Sequence, residues 1–200
     1  MTKREAQKLE TRQKLLNAAA VCFAEKGYAG CAVADIAAQA GVSQGNLYGH
    51  FKNKEDLFIT MIRDEHSQGA EKARQAAESE RYLQGILNTM ADCIRDVGFP
   101  VDHRLWTEIL AVAARDAAVR EAFAASDKAM REVFVELLKK AAASGEIDSS
   151  LDLEAVSVWL YSLVDGLIAR TADDPDFDFN KHMAVFETLV RRALQPEKRD

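Results

Sequence analysis

Val33–Phe58 reads VADIAAQAGVSQGNLYGHFKNKEDLF. Ile36, Ala37 and Ala40 fall on one side of a short helical segment, Val33–Ala40, and the small alanines let a second helix approach closely. Gly41 supplies a tight turn, Val42 plugs the angle behind it, and Ser43 is a natural cap for the segment that follows. In that second segment, Gln44–His50, Leu47 points to a core, and Phe51, four residues on, does the same. Two short helices at a steep angle about a glycine turn make a helix-turn-helix. The second helix keeps an outward face of Gln44, Asn46, Tyr48 and His50. Amide side chains can read adenine edges, while a phenol and an imidazole can hold phosphates. Two local alternatives stand beside this: Tyr48 as partly core and His50 as a helix cap. Lys52 and Lys54 follow, and Lys54 opens the next helix, whose first N–H groups favour an anion.

Working outward, Leu15, Leu16, Ala19, Cys22 and Phe23 recur at helical spacing and predict a helix over Leu9–Lys26, with Gly27 as its C′ residue. Asn53 is a good N-cap, with Glu55 and Asp56 in the first turn, for a helix from Lys54 to near Ser79, about 39 Å at 1.5 Å per residue. Gly69 is a point of weakness or bending in it. Further helices are expected at Arg81–Val97, Asp102–Ala114, Asp116–Ala143, Leu153–Thr171 and Phe179–Leu194. They are separated by Gly98-Phe99-Pro100, Ser144-Gly145 and Asp173-Asp174-Pro175. No stretch alternates with the period of a strand, so the fold is expected to be all-α, with a frayed tail at Pro196–Asp200.

Charge is uneven along the chain. Residues 1–54 hold eight Lys/Arg against four Asp/Glu, and the remainder hold 18 against 28, so a basic head precedes an acidic body although the whole carries −6. A polyanion would be attracted to one end; chance asymmetry is the competing account. No run approaches the roughly 18 apolar residues of a membrane span, and Met1–Leu16 lacks the apolar centre of a secretory signal. A cytoplasmic protein with no membrane partner is expected. Cys22, Cys31 and Cys93 form no Cys-x-x-Cys pair and match no zinc spacing, which fits a reducing compartment, and the four histidines are scattered. No phosphate loop, Gly-x-Ser-x-Gly or metal motif is found. We therefore expect no enzyme, cofactor, metal or catalytic residue.

The order VADIAAQAGVS, LYGHF, KNKEDLF, preceded by TRQKLLNAAAVCFAEKGY, resembles the TetR/AcrR family of bacterial regulators over Thr11–Phe58. Arg104–Phe123, RLWTEILAVAARDAAVREAF, is similar to the sensor body of some members. The resemblance implies an N-terminal three-helix helix-turn-helix DNA-binding domain, 1–53, and a six-helix ligand-sensing and dimerisation body, 54–200. It implies that Gln44, Gly45 and Asn46 lie nearest the bases while Tyr48, His50 and Lys54 hold the backbone. Three departures bear on this. Cys31 and Ala32 stand where hydroxyl residues are usual, Gly49 stands where a larger, often basic residue is common, and Asn46 replaces a small residue, so the operator preference does not carry over.

Homodimers through the last two helices are also implied. Val156, Leu160, Leu163, Val164 and Leu167 form one apolar stripe, and Met183, Phe186, Leu189, Val190 and Leu194 form the other. Gly166 would permit close approach, and packing within one chain is the alternative. The implied effector pocket has as candidates His66, Met90, Cys93, Trp106, Ile109, Phe123, Met130, Trp159, Tyr161 and Asp165, each of which could instead be plain core. Asp165 sits in an apolar stretch and would suit a cationic ligand, an interface arginine such as Arg170, or water. The expected function is a sequence-specific transcriptional regulator, a repressor released from palindromic double-stranded DNA by a small hydrophobic or cationic effector. The helix from Lys54 would be the lever between head and body.

Overall fold

The capping residues mark where the helices begin. Thr2 and Glu5 form a reciprocal capping box, with the Thr2 hydroxyl accepting from the Glu5 N–H and the Glu5 carboxylate accepting from the Thr2 N–H. In this computed structural model, which describes residues 2–79, 81–97 and 100–196, α1 therefore runs Lys3–Gly30, beginning well before the expected Leu9. Gly27, at φ +70°, interrupts it and leaves a last turn to Gly30. Then follow α2 (Val33–Gln39), α3 (Gln44–Tyr48), α4 (Lys54–Ala76), α5 (Tyr82–Arg95), α6 (His103–Arg115), α7 (Ala117–Ala143), α8 (Leu153–Asp173) and α9 (Phe179–Leu194). Among the described residues there is no strand. The expected all-α order is present. The break at Gly98-Phe99 and the tail beyond Pro196 lie outside the described residues.

The chain packs as two compact units, Met1–Glu65 with Gly98–Ala124, and His66–Val97 with Ala125–Asp200. In the first, α1 packs on α2 and on α6, and α2 on α3. Its interior is made of Leu15, Leu16, Phe23, Ile36, Leu47, Leu57, Phe58, Leu105 and Ile109, none more than 1% exposed. Phe23 meets Phe58 edge-on at 5.1 Å, and Tyr28 lies 4.6 Å from Phe58. Such aromatic pairs add about 0.5–1.5 kcal/mol beyond the area they bury.

In the second unit, α5 packs against α8 and α9, over a core of Ile86, Phe134, Leu137, Leu138, Leu160 and Val190. Arg81 cannot cap α5, so Glu146 does so from far along the chain, accepting from the Tyr82 and Leu83 N–H groups at 3.1 and 2.9 Å. Gly69 lies in α4 where α7 comes close. A Cβ there would lie 2.8 Å from the Met130 sulfur, so the missing side chain admits α7.

Candidate nucleic-acid interface

The helix-turn-helix is built by local bonds. Gly41, at φ +68°, reverses the chain after α2, and the Val42 N–H reaches back to the Ala37 carbonyl at 3.0 Å. Ser43 Oγ then accepts from the Asn46 N–H at 3.2 Å and starts α3. Leu47 and Phe51 are buried and anchor α3 to the unit's core, which turns its other side outward. Gln44, Gly45, Asn46 and Lys52 are exposed, and Tyr48 is 52% exposed, so its ring is not part of the core. That face offers amide, phenol and ammonium groups on a helix narrow enough for a major groove.

His50 sits at the edge of this face, partly buried, with its Nδ1 making no hydrogen bond among the described residues. Burial, followed by the charges of Lys8 and Arg12, holds its pKa below the ordinary histidine value.

Lys54 corrects the expectation of a phosphate-holding lysine. Its ammonium donates to the Tyr28 carbonyl at 2.7 Å and the Cys31 carbonyl at 2.9 Å, and lies 4.5 Å from the Tyr28 ring centre. It ties the end of α1 to the start of α4. The N-terminus of α4 is filled by its own cap, Asn53 Oδ1 accepting from the Asp56 N–H at 2.7 Å.

Around α2 the structure supplies what the sequence lacks. Ala32 gives no side-chain cap, and Asp35 instead accepts from the Ala32 N–H at 3.2 Å and pairs with Lys26 at 3.1 Å. Lys26 first, and then the Ala32 N–H, lower the pKa of this carboxyl. Cys22 and Cys31 form a disulfide across a Cα separation of 5.8 Å, with both residues buried. Spacing along the chain does not reveal this pair, because α1 turns back at Gly27 to bring Cys31 alongside Cys22. Its presence also corrects the picture of three reduced thiols; Cys93 takes no part in a disulfide.

The effector candidates divide between the units. Trp106, Ile109 and Phe123 belong to the first, where the Trp106 and Phe123 rings lie 6.0 Å apart. The other candidates belong to the second. There His66 is buried, with Nδ1 2.7 Å from Ser126 Oγ. Burial pushes its pKa down to about 4, against a smaller upward pull from Asp127. Tyr161 packs edge-on against Phe134 at 5.2 Å. Burial raises the pKa of its phenol, as do Cys93, Asp127 and Asp165. Met90 and Met130 are core; Cys93 and Asp165 are partly buried. Trp159, at 45% exposure, is not enclosed by this chain.

The interface stripes need a larger correction. Leu160, Val164, Phe186, Val190 and Leu194 are at most 6% exposed and belong to the chain's own core. The exposed apolar side chains of α8 and α9 are Val158, Trp159, Val185 and Leu189, at 45–57%. Val156, Leu163, Leu167 and Met183 are partly buried between the two sets. The amphipathic pattern located the inward side of both helices, and of the ten stripe residues Leu189 is the one that is exposed.

Two family profiles match the chain: "Bacterial regulatory proteins, tetR family" over residues 15–61 and "BetI-type transcriptional repressor, C-terminal" over residues 83–195. The HTH-type transcriptional repressor AcnR of Corynebacterium diphtheriae is 26% identical over 187 residues, covering 91% of this chain and 92% of AcnR. The crystal structure of a TetR-family transcriptional regulator from Rhodococcus sp. matches with a TM-score of 0.79 at 25% identity, over 93% of this chain and 99% of that one. The regulator FadR of Bacillus subtilis, solved with stearoyl-CoA, has the same fold, with a TM-score of 0.77 at 22% identity, over 91% of this chain and 98% of its own.

Proposed function

The chain belongs to the TetR family of bacterial regulatory proteins, and from that premise we propose that it is a homodimeric repressor that leaves a palindromic operator when a small molecule binds its body. The exposed side of α3 is the observation that carries this reading. Gln44, Asn46 and Tyr48 are held outward while Leu47 fixes the helix from behind. Gln44, Gly45 and Asn46 face the bases in the major groove. Tyr48, His50 and Lys52 hold the flanking phosphates. Residues 1–53 form the reading head and 54–200 the sensing and dimerising body, in the cytoplasm where the DNA lies.

The dimer forms through α8 and α9, on the face carrying Val158, Trp159, Val185 and Leu189. A soluble chain that exposes four large apolar side chains on two neighbouring helices gains by covering them, and a two-fold axis covers both copies at once. Such a dimer must hold its two α3 helices about 34–36 Å apart to meet successive major grooves. An effector that favours a body conformation with another spacing releases the DNA by its differential affinity for the two states. Burial around His66 and Tyr161, with the Asp127 and Asp165 carboxylates near the phenol, supports a hydrophobic or cationic effector.

The test is selection of duplexes from a random pool by the purified protein, followed by affinity measurement on the winner. The expected result is a palindromic sequence bound by one dimer, with Tyr48→Phe at least about tenfold weaker through loss of one phosphate hydrogen bond in each protomer. Enrichment of a non-palindromic site, or none, would refute the symmetric reading.

A further inference from the structure

We infer that the N-terminal half of α1 is a second DNA-backbone contact, a basic stripe of Arg4, Lys8 and Arg12 that grips phosphates flanking the site read by α3. This rests on the DNA-binding reading above and adds residues to it. The capping box at Thr2 and Glu5 extends α1 to Lys3, so these three cations stand on a formed helix. Spaced by four residues, they lie about 6 Å apart along the axis and drift slowly around it. Each strand of a duplex presents a phosphate about every 3.4 Å of axis, so cations spaced along one helix can meet more than one phosphate.

Three observations place the inner end of the stripe beside the reading helix. The Arg12 guanidinium lies 5.4 Å from the ring centre of Phe51, the residue that anchors the chain just after α3. Lys8 and Arg12 are both near enough to His50 for their charges to act on its imidazole. Tyr48, two residues before His50, is exposed. The stripe thus continues the polar face of α3 onto α1. Its outer members, Arg4 and Lys8, are exposed, and neither takes part in an ion pair among the described residues. Arg12 is partly neutralised by Asp64 at 3.7 Å. Glu5 is occupied at the helix start by the Thr2 N–H, and Glu10 is paired with Lys14 at 2.7 Å. Three cations stacked on one helical stripe repel one another, a cost that a polyanion alongside would remove.

The partner is duplex DNA, and the contact is blind to sequence, since arginine and lysine on phosphate position a protein without reading bases. It raises affinity for operator and non-operator duplexes alike and steepens the salt dependence by about 0.9 in log–log slope per phosphate neutralised.

The experiment titrates salt against affinity for the intact protein, using the duplex enriched from a random pool and an unrelated duplex. It compares the wild type, the double variant Arg4→Ala/Lys8→Ala, the control Lys14→Ala, and the charge-preserving pair Arg4→Lys/Lys8→Arg. With two cations removed from each protomer of the bound dimer, the double variant is expected to have a slope shallower by about 3.6, so that a fourfold rise in salt costs it about 150-fold less affinity than it costs the wild type. Its ratio of operator to unrelated binding should be unchanged, and the other two proteins should keep the wild-type slope. Circular dichroism checks that α1 is intact, and the charge-preserving pair separates loss of charge from loss of helix. An unchanged slope in the folded double variant overturns the stripe while leaving the reading of α3 standing. So does an equal loss of slope in Lys14→Ala, which would mean that only net charge matters. A wild type that binds neither duplex in a salt-dependent way overturns the DNA-binding reading, and the stripe with it.

Discussion

A single turn, Tyr28–Cys31, gathers bonds from most of the first unit. The Tyr28 N–H goes to Glu108 at 2.6 Å, two of its carbonyls take the Lys54 ammonium, and Cys31 is bonded to Cys22. None of these partners is near in sequence apart from the cysteine, so nothing around Lys54 in the sequence marks it as a structural tie. A lysine at a helix start looks the same in sequence whether it faces DNA or an interior carbonyl. Lys54→Met keeps the aliphatic stem and loses two charge-assisted hydrogen bonds and a cation–π contact. It should cost about 2 kcal/mol, seen as a lower denaturant midpoint at unchanged slope. Tyr48→Phe should leave that midpoint alone. Reducing the Cys22–Cys31 bond frees a short loop in the unfolded chain and should lower stability by about 2–3 kcal/mol on the loop-entropy account. Denaturation with and without a thiol reductant measures it, and Cys31→Ser should abolish the difference. His66 gives a pH signature. Its folded pKa of about 4 lies below the ordinary value of 6.5, so the unfolded chain takes up the proton first. The protein is then most stable above about pH 6.5 and weakens as pH falls toward 4, by roughly 2 kcal/mol between pH 7 and 5. In His66→Gln that slope should flatten; a wild type equally stable at both pH values would contradict the burial argument.

Helices were the most legible level. Their apolar periods, and caps such as Ser43, Asn53, Asp102 and Asp152, lie within a few residues of what they determine. Long-range caps such as Glu146 on α5 do not, and the Thr2–Glu5 box starts α1 well ahead of its apolar pattern. In α8 and α9 periodicity finds the strongest apolar face, and the strongest face is the one the chain keeps for itself. The exposed apolar remainder on these helices, the face proposed for the dimer, is visible only once burial is known. The double variant Val158→Lys/Leu189→Glu changes two side chains that are 49% and 57% exposed. It should keep its helical circular dichroism, sediment as a monomer, and lose operator affinity. Val190→Glu, at a position with no exposure, should fail to fold. If the surface variant remained dimeric, α8 and α9 would not form the interface through that face.

For the molecule as a whole, composition misleads and distribution informs. A net charge of −6 conceals a basic head and an acidic body, so DNA is drawn to one end and repelled by the rest. The helix-turn-helix was legible because its chemistry is local. The effector site was not, because the candidate residues come from distant segments and fall into different units. Linkage still constrains the unknown effector: one that weakens operator binding tenfold must itself bind the DNA-bound protein tenfold more weakly than the free protein. Calorimetry with and without the operator would check this, and equal affinities would mean that the compound is not the regulator. The bond between Cys22 and Cys31 has one more consequence, for the chain as a length of string. It closes a ring around the bend at Gly27, with the exposed Lys26 on its circumference. A protease that cuts after Lys26 opens the ring without dividing the molecule. The nicked protein would run at full length on a denaturing gel, and only a thiol would release the short N-terminal piece that carries most of α1.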